Sequence, residues 1–234
     1  MLAVLVPANE TFKIRRSRPH GHVEAILGLV RKLELDRIIS STPSRERDLV
    51  LAMIVSRLIE PSSKLALTKQ WMSTTLAEEL NVMDATEDEL YAAMDWLLKR
   101  QTRIETKLAS KHLSDIDSEV ASVVLYDVSS SSYYGEHCPL VKRGYNRDGL
   151  KLPQIVYGIL TDKQGCPVTV DVYEGNTSDS TTVTDQVIKL RERFGVERAV
   201  LVGDRGMLTS TQIAKLREHE GLGWISCLMK VMFS

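Results

Sequence analysis

Ser122-Val-Val-Leu-Tyr-Asp127-Val128 and Ala199-Val-Leu-Val-Gly-Asp204 share one design: aliphatic and β-branched residues for the length of a short strand, meeting a carboxylate at its end. Such runs are what a strand needs to sit inside an α/β sheet. An acid at the end of one is costly, because desolvation favours its neutral form, unless a cap, a turn or a cation compensates it. Between the two runs, Gln154 to Leu160 and Pro167 to Tyr173 read as two further strands, and Thr161-Asp-Lys-Gln-Gly165 has the composition of a tight hairpin turn. Asp179 to Phe194 reads as a helix with Val183, Val187, Ile188 and Leu190 on its inner side. After Asp204, Thr209 and Gln212 have capping-box spacing and open a helix to about Glu220, and Trp224 to Leu228 forms a last strand.

The order is strand, strand, strand, helix, strand, helix, strand. The first three are expected to form an antiparallel meander, while the later crossovers demand parallel pairing, so the fold class is α/β with a sheet of mixed direction. If the meander pairs in the common way, the first and fourth strands lie side by side. Asp127 and Asp204, 77 residues apart, then face each other across one inter-strand spacing of about 5 Å. Two anions that close repel, and a divalent cation with hard oxygen ligands, Mg²⁺ or Mn²⁺, is the natural remedy. For either aspartate alone, the competing reading is a helix cap or turn residue.

Upstream of about residue 118 the character changes to helical spacing. Val23, Ile26, Leu27 and Val30 make one apolar stripe; Thr42-Pro43 looks like an N-cap with proline at the first helical position, opening a helix to Pro61; a third helix is expected over Lys64 to Leu80. Thr86 and Glu89 have capping-box spacing, after which Leu90, Met94, Leu97, Leu98, Ile104 and Leu108 keep helical phase for about five turns. The expected domains are a mainly helical 1–117, with DNA binding as one reading, and an α/β 118–234.

Composition narrows the class. Hydrophobic residues are 43% and charged residues 26% of 234, the balance of a globular chain, and a net charge of −1 excludes a histone-like polycation. The longest apolar run, Leu49 to Val55, is far too short for a bilayer span, and no basic segment precedes the apolar first six residues, so a cytoplasmic protein without a membrane segment is expected. Cys138, Cys166 and Cys227 are an odd set with no C-x-x-C pair and read as free thiols.

Five phrases occur in a fixed order: Tyr126-Asp127-Val-Ser; Lys142-Arg143-Gly144-Tyr145-Asn146-Arg147-Asp148-Gly149; Leu152-Pro153-Gln154-Ile-Val-Tyr-Gly158; Glu174-Gly175-Asn176-Thr177-Ser178-Asp179; and Asp204-Arg205-Gly206-Met207. Together they resemble the catalytic core of bacterial insertion-sequence transposases of the DDE class, which fold like ribonuclease H. The resemblance covers about residues 120–228 and, more loosely, the helical first half. It implies two-metal phosphodiester chemistry, with Asp127 and Asp204 as the first two catalytic acids and ligands of Mg²⁺ or Mn²⁺.

The family's third acid is a Glu in a pattern of Tyr, Arg three residues on and Glu four after that. None of the seven tyrosines has Arg at +3, and the only acids after Asp204 are Glu218 and Glu220, which precede the last strand. The resemblance therefore implies a truncated or frameshifted core that lacks its third acid and is a poor or inactive catalyst.

DNA contacts are expected from the stretch after the first strand, read as a loop: Lys142, Arg143, Arg147 and Lys151 for phosphates, Tyr145 and Asn146 for stacking or hydrogen bonding, with Arg205 beside Asp204 pairing with either a phosphate or a neighbouring carboxylate. Lys13, Arg15, Arg16, Arg18, Arg31 and Lys32 against Glu24 give a local balance of +5, either a phosphate-binding patch or a solvated helix face. Asn176 and Asp179 are read as caps of the following helix. Partners would be transposon-end and target DNA, held by a dimer or larger synapse. Alternatives of other classes are a non-catalytic DNA-binding or regulatory fragment and a ribonuclease-H-type nuclease acting on RNA–DNA hybrids.

Overall fold

The computed structural model describes residues 16–113, 121–145 and 151–227. The chain divides into two compact units, Met1–Gln101 and Thr102–Ser234. The division falls earlier than the change in residue character near 118, because the last long helix packs Leu108, Ala109 and Leu113 into the core of the second unit.

The first unit contains α1 (Gly21–Lys32), α2 (Leu35–Ile39), α3 (Arg45–Ile59), α4 (Lys64–Gln70), α5 (Leu76–Glu79) and α6 (Glu87–Leu98). Its core joins Val23 and Leu27 of α1, Leu49 and Val55 of α3, Trp71 and Leu90. The Trp71 indole donates to Ser56 Oγ at 2.7 Å, which lets an aromatic polar edge be buried without cost. Three local expectations change. Ser44, not Thr42, caps α3, accepting the Arg47 N–H. The helix expected over 64–80 is broken where Ser73 Oγ donates to the Gln70 carbonyl and Thr74 Oγ1 accepts the Leu76 N–H, hydroxyls competing with the helical ladder. The run expected from 90 to 108 ends at Leu98, where the Arg100 guanidinium stacks 3.7 Å from the Trp96 ring and donates to the Trp96 carbonyl.

The capping box at the start of α6 is complete: Thr86 Oγ1 accepts the Glu89 N–H and Glu89 Oε2 accepts the Thr86 N–H. The Arg45 side chain, hydrogen-bonded to Glu89 at 2.7 Å, together with that Thr86 N–H holds the Glu89 carboxyl down at about 2. Thr86→Ala is expected to cost the first unit about 1 kcal/mol in urea denaturation. A depressed carboxyl stabilises the fold above its unfolded value of 4.5 and loses that contribution as pH falls through about 2. The Glu89 side chain is 38% exposed, so this acid-sensitive part is small and Glu89→Gln should flatten it.

The second unit opens with α7 (Gln101–His112) and continues β1 (Ser122–Ser132), β2 (Lys142–Tyr145), β3 (Lys151–Asp162), β4 (Pro167–Glu174), α8 (Asp179–Ile188), a π-helical turn (Lys189–Arg193), β5 (Ala199–Val202), α9 (Ser210–Arg217) and β6 (Leu222–Ile225). The strand order is β2-β3-β1-β5-β6, with β4 also on β3. β2 and β4 lie end to end along one edge of β3, pairing Lys151–Gln154 and Ile155–Thr161 respectively. β1, β2 and β4 run antiparallel to β3, whereas β1–β5 and β5–β6 are parallel. This is the mixed α/β sheet expected, with one strand more.

Val124, Tyr126, Val156, Leu160 and Leu201 point to an inner face covered by Val183 and Val187 of α8 and Leu216 of α9. Ile188, expected inside, is 44% exposed, because the π-helical turn that follows it re-aims the helix and buries Leu190 instead. The hairpin turn is as read, with Gly165 at φ +83°. Thr209 caps α9, but Gln212 turns its side chain to Thr184 Oγ1 rather than back to the cap. Asn176 and Asp179 are not caps: Ser178 occupies the cap position of α8 and Asp179 is its first residue.

Candidate active site

Parallel pairing of β1 with β5 runs Ser122↔Ala199, Val123↔Val200, Val124↔Leu201 and Leu125↔Val202, a constant offset of 77 residues. The pairing ends at Leu125↔Val202; Asp127 lies two residues further along β1 and Asp204 two residues past the end of β5, so both stand at the carboxyl end of the parallel pair, where sites of open α/β sheets form. Alternation sends Leu125, Asp127 and Ser129 to the face opposite the core. Leu125, Asp127, Ser129, Tyr157, Ile159, Val202 and Asp204 line one hollow of about 510 Å³ on that face.

The aspartates are unequal. Asp127 is exposed and, among the described residues, its carboxylate has no hydrogen-bond or ion-pair partner. Asp204 Oδ1 accepts the Met207 N–H at 2.9 Å while its carbonyl accepts the Leu208 N–H, so the turn reading holds for one oxygen. Asp204 also lines a second, more polar hollow with Gln154, Asn176, Thr177, Asp179 and Ser180. Tyr157 in the first hollow has its phenol held below the ordinary value by the hydroxyls of Ser129 and Ser131. Two exposed carboxylates lining one hollow, one of them unpartnered among the described residues, are a donor set that fits a hard divalent cation, though they supply only part of an octahedral shell. Glu218 and Glu220 cannot complete it: they precede β6, whose start pairs with the start of β5, at the far end of the sheet from Asp204.

The expected DNA contacts divide. Lys142 and Arg143 are exposed, but on the edge strand β2 rather than a loop; cations and glycine are what an exposed sheet edge tolerates, and here they disguise the strand. Tyr145 closes that strand, while Asn146 and Arg147 lie outside the described residues. Arg205 is exposed next to Asp204. In the basic stretch of the first unit, Arg16 donates to the Met72 carbonyl, Arg18 pairs with Glu78 and Arg31 with Glu24, so these three serve that unit's own structure; Lys13 and Arg15 lie outside the described residues.

Motif residues with no chemistry of their own shape the scaffold. The Tyr126 ring fills the space a side chain would take at Gly158, and burial raises its phenol above the usual value. Gly144 and Gly175 touch backbone to backbone.

Residues 116–231 match the family model described as transposase DDE domain. The second unit carries a transposase DDE domain. No curated protein sequence matches the chain. Among solved structures, the piggyBac transposase synaptic complex with hairpin DNA is 14% identical over 81% of this chain and 43% of that one, with a TM-score of 0.44. The Mos1 strand transfer complex is 14% identical over 80% and 59%, at 0.30. The Drosophila P element transposase strand transfer complex is 13% identical over 87% and 47%, at 0.38. The chain thus spans less than two thirds of these transposases. Within the DDE domain, the strand order β2-β3-β1-β5-β6 makes the mixed α/β sheet that the sequence pattern implies. Among the described residues no helix is long and apolar enough to cross a membrane.

Proposed function

We propose that the chain is a transposase of a bacterial insertion sequence, acting in the cytoplasm on transposon-end and target DNA as a dimer or larger synapse, with Asp127 and Asp204 as its catalytic carboxylates. The observation that supports this most is that both line one hollow at the carboxyl end of the parallel β1–β5 pair, inside a DDE domain. A bound Mg²⁺ or Mn²⁺ would supply Lewis-acid activation of the attacking hydroxyl or water and charge neutralisation at the leaving oxygen. Asp127 offers both carboxylate oxygens, Asp204 the one its turn does not use, and Arg205, Lys142 and Arg143 hold phosphates nearby. Among the described residues these two carboxylates supply only part of an octahedral shell, so the ion is held weakly and cutting is slow.

The test uses a supercoiled plasmid carrying the DNA that flanks the gene, with Mg²⁺ or Mn²⁺. Expected are slow, metal-dependent nicks, lost in Asp127→Ala and Asp204→Ala. Nicking that survives both substitutions would remove the proposal. Retarded DNA in a gel shift with no nicks under either metal selects the second reading, a regulatory fragment that occupies ends without cutting; the internally satisfied Arg16 and Arg18 favour that reading less.

A further inference from the structure

We infer that the DDE domain has a second metal site, of different chemistry, made by His112, Asp162 and Cys166. One ligand atom from each lies within 4.8 Å of those of the other two. A tetrahedral Zn²⁺ with bonds of 2.0–2.3 Å places its ligands roughly 3.3–3.8 Å apart, so closing on an ion shortens any separation by at most about 1.5 Å. His112 Nδ1 and Asp162 Oδ2 are 3.1 Å apart in a hydrogen bond, close to the spacing of two zinc ligands.

The three groups come from three elements. His112 is the last residue of α7, Asp162 the last of β3, and Cys166 stands just before β4. The hairpin fixes two of them. Asp162 Oδ1 accepts the N–H groups of Gln164 and Cys166, each at 2.8 Å, and the Asp162 N–H donates to the Cys166 carbonyl. That leaves Oδ2 aimed at the imidazole. Burial by itself would raise the Asp162 carboxyl, but the Cys166 and Gln164 N–H groups and the His112 ring outweigh it, so a carboxylate stands ready at neutral pH. Asp162 is buried, while His112 and Cys166 are half-buried, which leaves solvent access for entry and for a fourth, water ligand.

The donor set selects the ion. Nitrogen and sulfur beside a single oxygen suit Zn²⁺ or Co²⁺ and reject Mg²⁺, so the site is chemically separate from the all-oxygen pair at Asp127 and Asp204. Zn²⁺ replaces the Cys166 thiol proton, which passes to water, and no oxidation state changes. The consequence is a staple between the C-terminal end of α7 and the β3–β4 hairpin, closing a loop of 50 residues between His112 and Asp162.

The full chain, cleared of metal with a chelator, is titrated with Co²⁺ and with Zn²⁺. Expected are one equivalent bound, a thiolate-to-cobalt absorption band in the near ultraviolet, and a rise of about 5–10 °C in the unfolding temperature of the second unit at a hundred-fold excess of Zn²⁺ over its Kd. Zn²⁺ should also slow alkylation of Cys166 at least ten-fold, read by mass spectrometry, while Cys138 and Cys227 react as before. Cys166→Ser and His112→Gln should each weaken binding a hundred-fold or more, whereas Asp127→Asn leaves it unchanged. Because Asp162 also holds the turn, its substitution is not used. No cobalt–thiolate band, or equal binding in Cys166→Ser, would overturn the assignment, and neither outcome bears on DNA cleavage at the other site.

Discussion

Gly175→Ala is expected to destabilise the second unit by about 3 kcal/mol or more, enough to lower its unfolding temperature by roughly 6–12 °C. Gly175 follows β4, donating its N–H to the Leu140 carbonyl at 3.0 Å and accepting Gln154 Nε2 at 2.8 Å. A methyl group there would drive into the carbonyls of Gln154 and Lys142, and one on Gly144 would strike the Gly175 carbonyl. These obstacles are backbone, from three segments tied into one sheet, so no rotamer change relieves them. The glycine's φ is not positive, so the cost is steric rather than torsional. The contrast is Gly28, inside α1, where an added Cβ meets nothing within 4 Å. Gly28→Ala should stabilise the first unit by about 0.5–1 kcal/mol by restricting the unfolded chain and favouring helix. Unit-resolved hydrogen exchange on both variants separates the effects. Gly175→Ala with native protection in β2, β3 and β4 would show that the three backbones can separate and that the close approach is not required.

That junction illustrates why the chain is legible in parts. The strands around Asp127 and Asp204 announce themselves because a parallel strand must be apolar throughout, and a crossover helix leaves a 3.6-residue signature between them. Their adjacency follows from connection rules, and the 77-residue offset of β1 on β5 bears it out. β2 was hidden because Lys142-Arg143-Gly144-Tyr145 carries the residues of a loop, while its strand character comes entirely from pairing with Lys151–Gln154. Asp179 passes for a cap by spacing alone, yet Ser178 takes that place and Asp179 lines the hollow beside Asp204. The cluster of His112, Asp162 and Cys166 has no linear signature at all: its first two members are 50 residues apart, and only the register that brings the end of α7 to the hairpin unites them. Sequence periodicity reports which face of an element is buried. It does not report which two elements meet end to end.

Arg193→Ala should cost the second unit about 3–5 kcal/mol, because it strands a charge in the interior. Glu105 on α7 is 3% exposed. Its Oε1 accepts the Val170 N–H at 3.2 Å, and its Oε2 is paired with Arg193 Nη1 at 2.7 Å. Arg193 Nη2 meanwhile donates to the Thr102 carbonyl at 2.8 Å, so one guanidinium ties both the side chain and the first turn of α7. The π-helical turn of Lys189–Arg193 is what makes the reach possible: its extra residue per turn buries Leu190 and delivers Arg193 to α7, which an uninterrupted α8 would carry elsewhere. Removing the arginine leaves a desolvated carboxylate whose remaining hydrogen bonds cannot replace a full positive charge. Adding Glu105→Gln to Arg193→Ala should therefore recover about half the loss, since the neutral amide keeps an oxygen for the Val170 N–H and discards the stranded charge. Urea unfolding of the two single variants and the double variant measures the coupling. If Arg193→Ala costs under about 1 kcal/mol, or Glu105→Gln deepens the damage, the pair is not what fastens α7 to the sheet, and its attachment must rest on the packing of Leu108, Ala109 and Leu113 and on the His112–Asp162 contact.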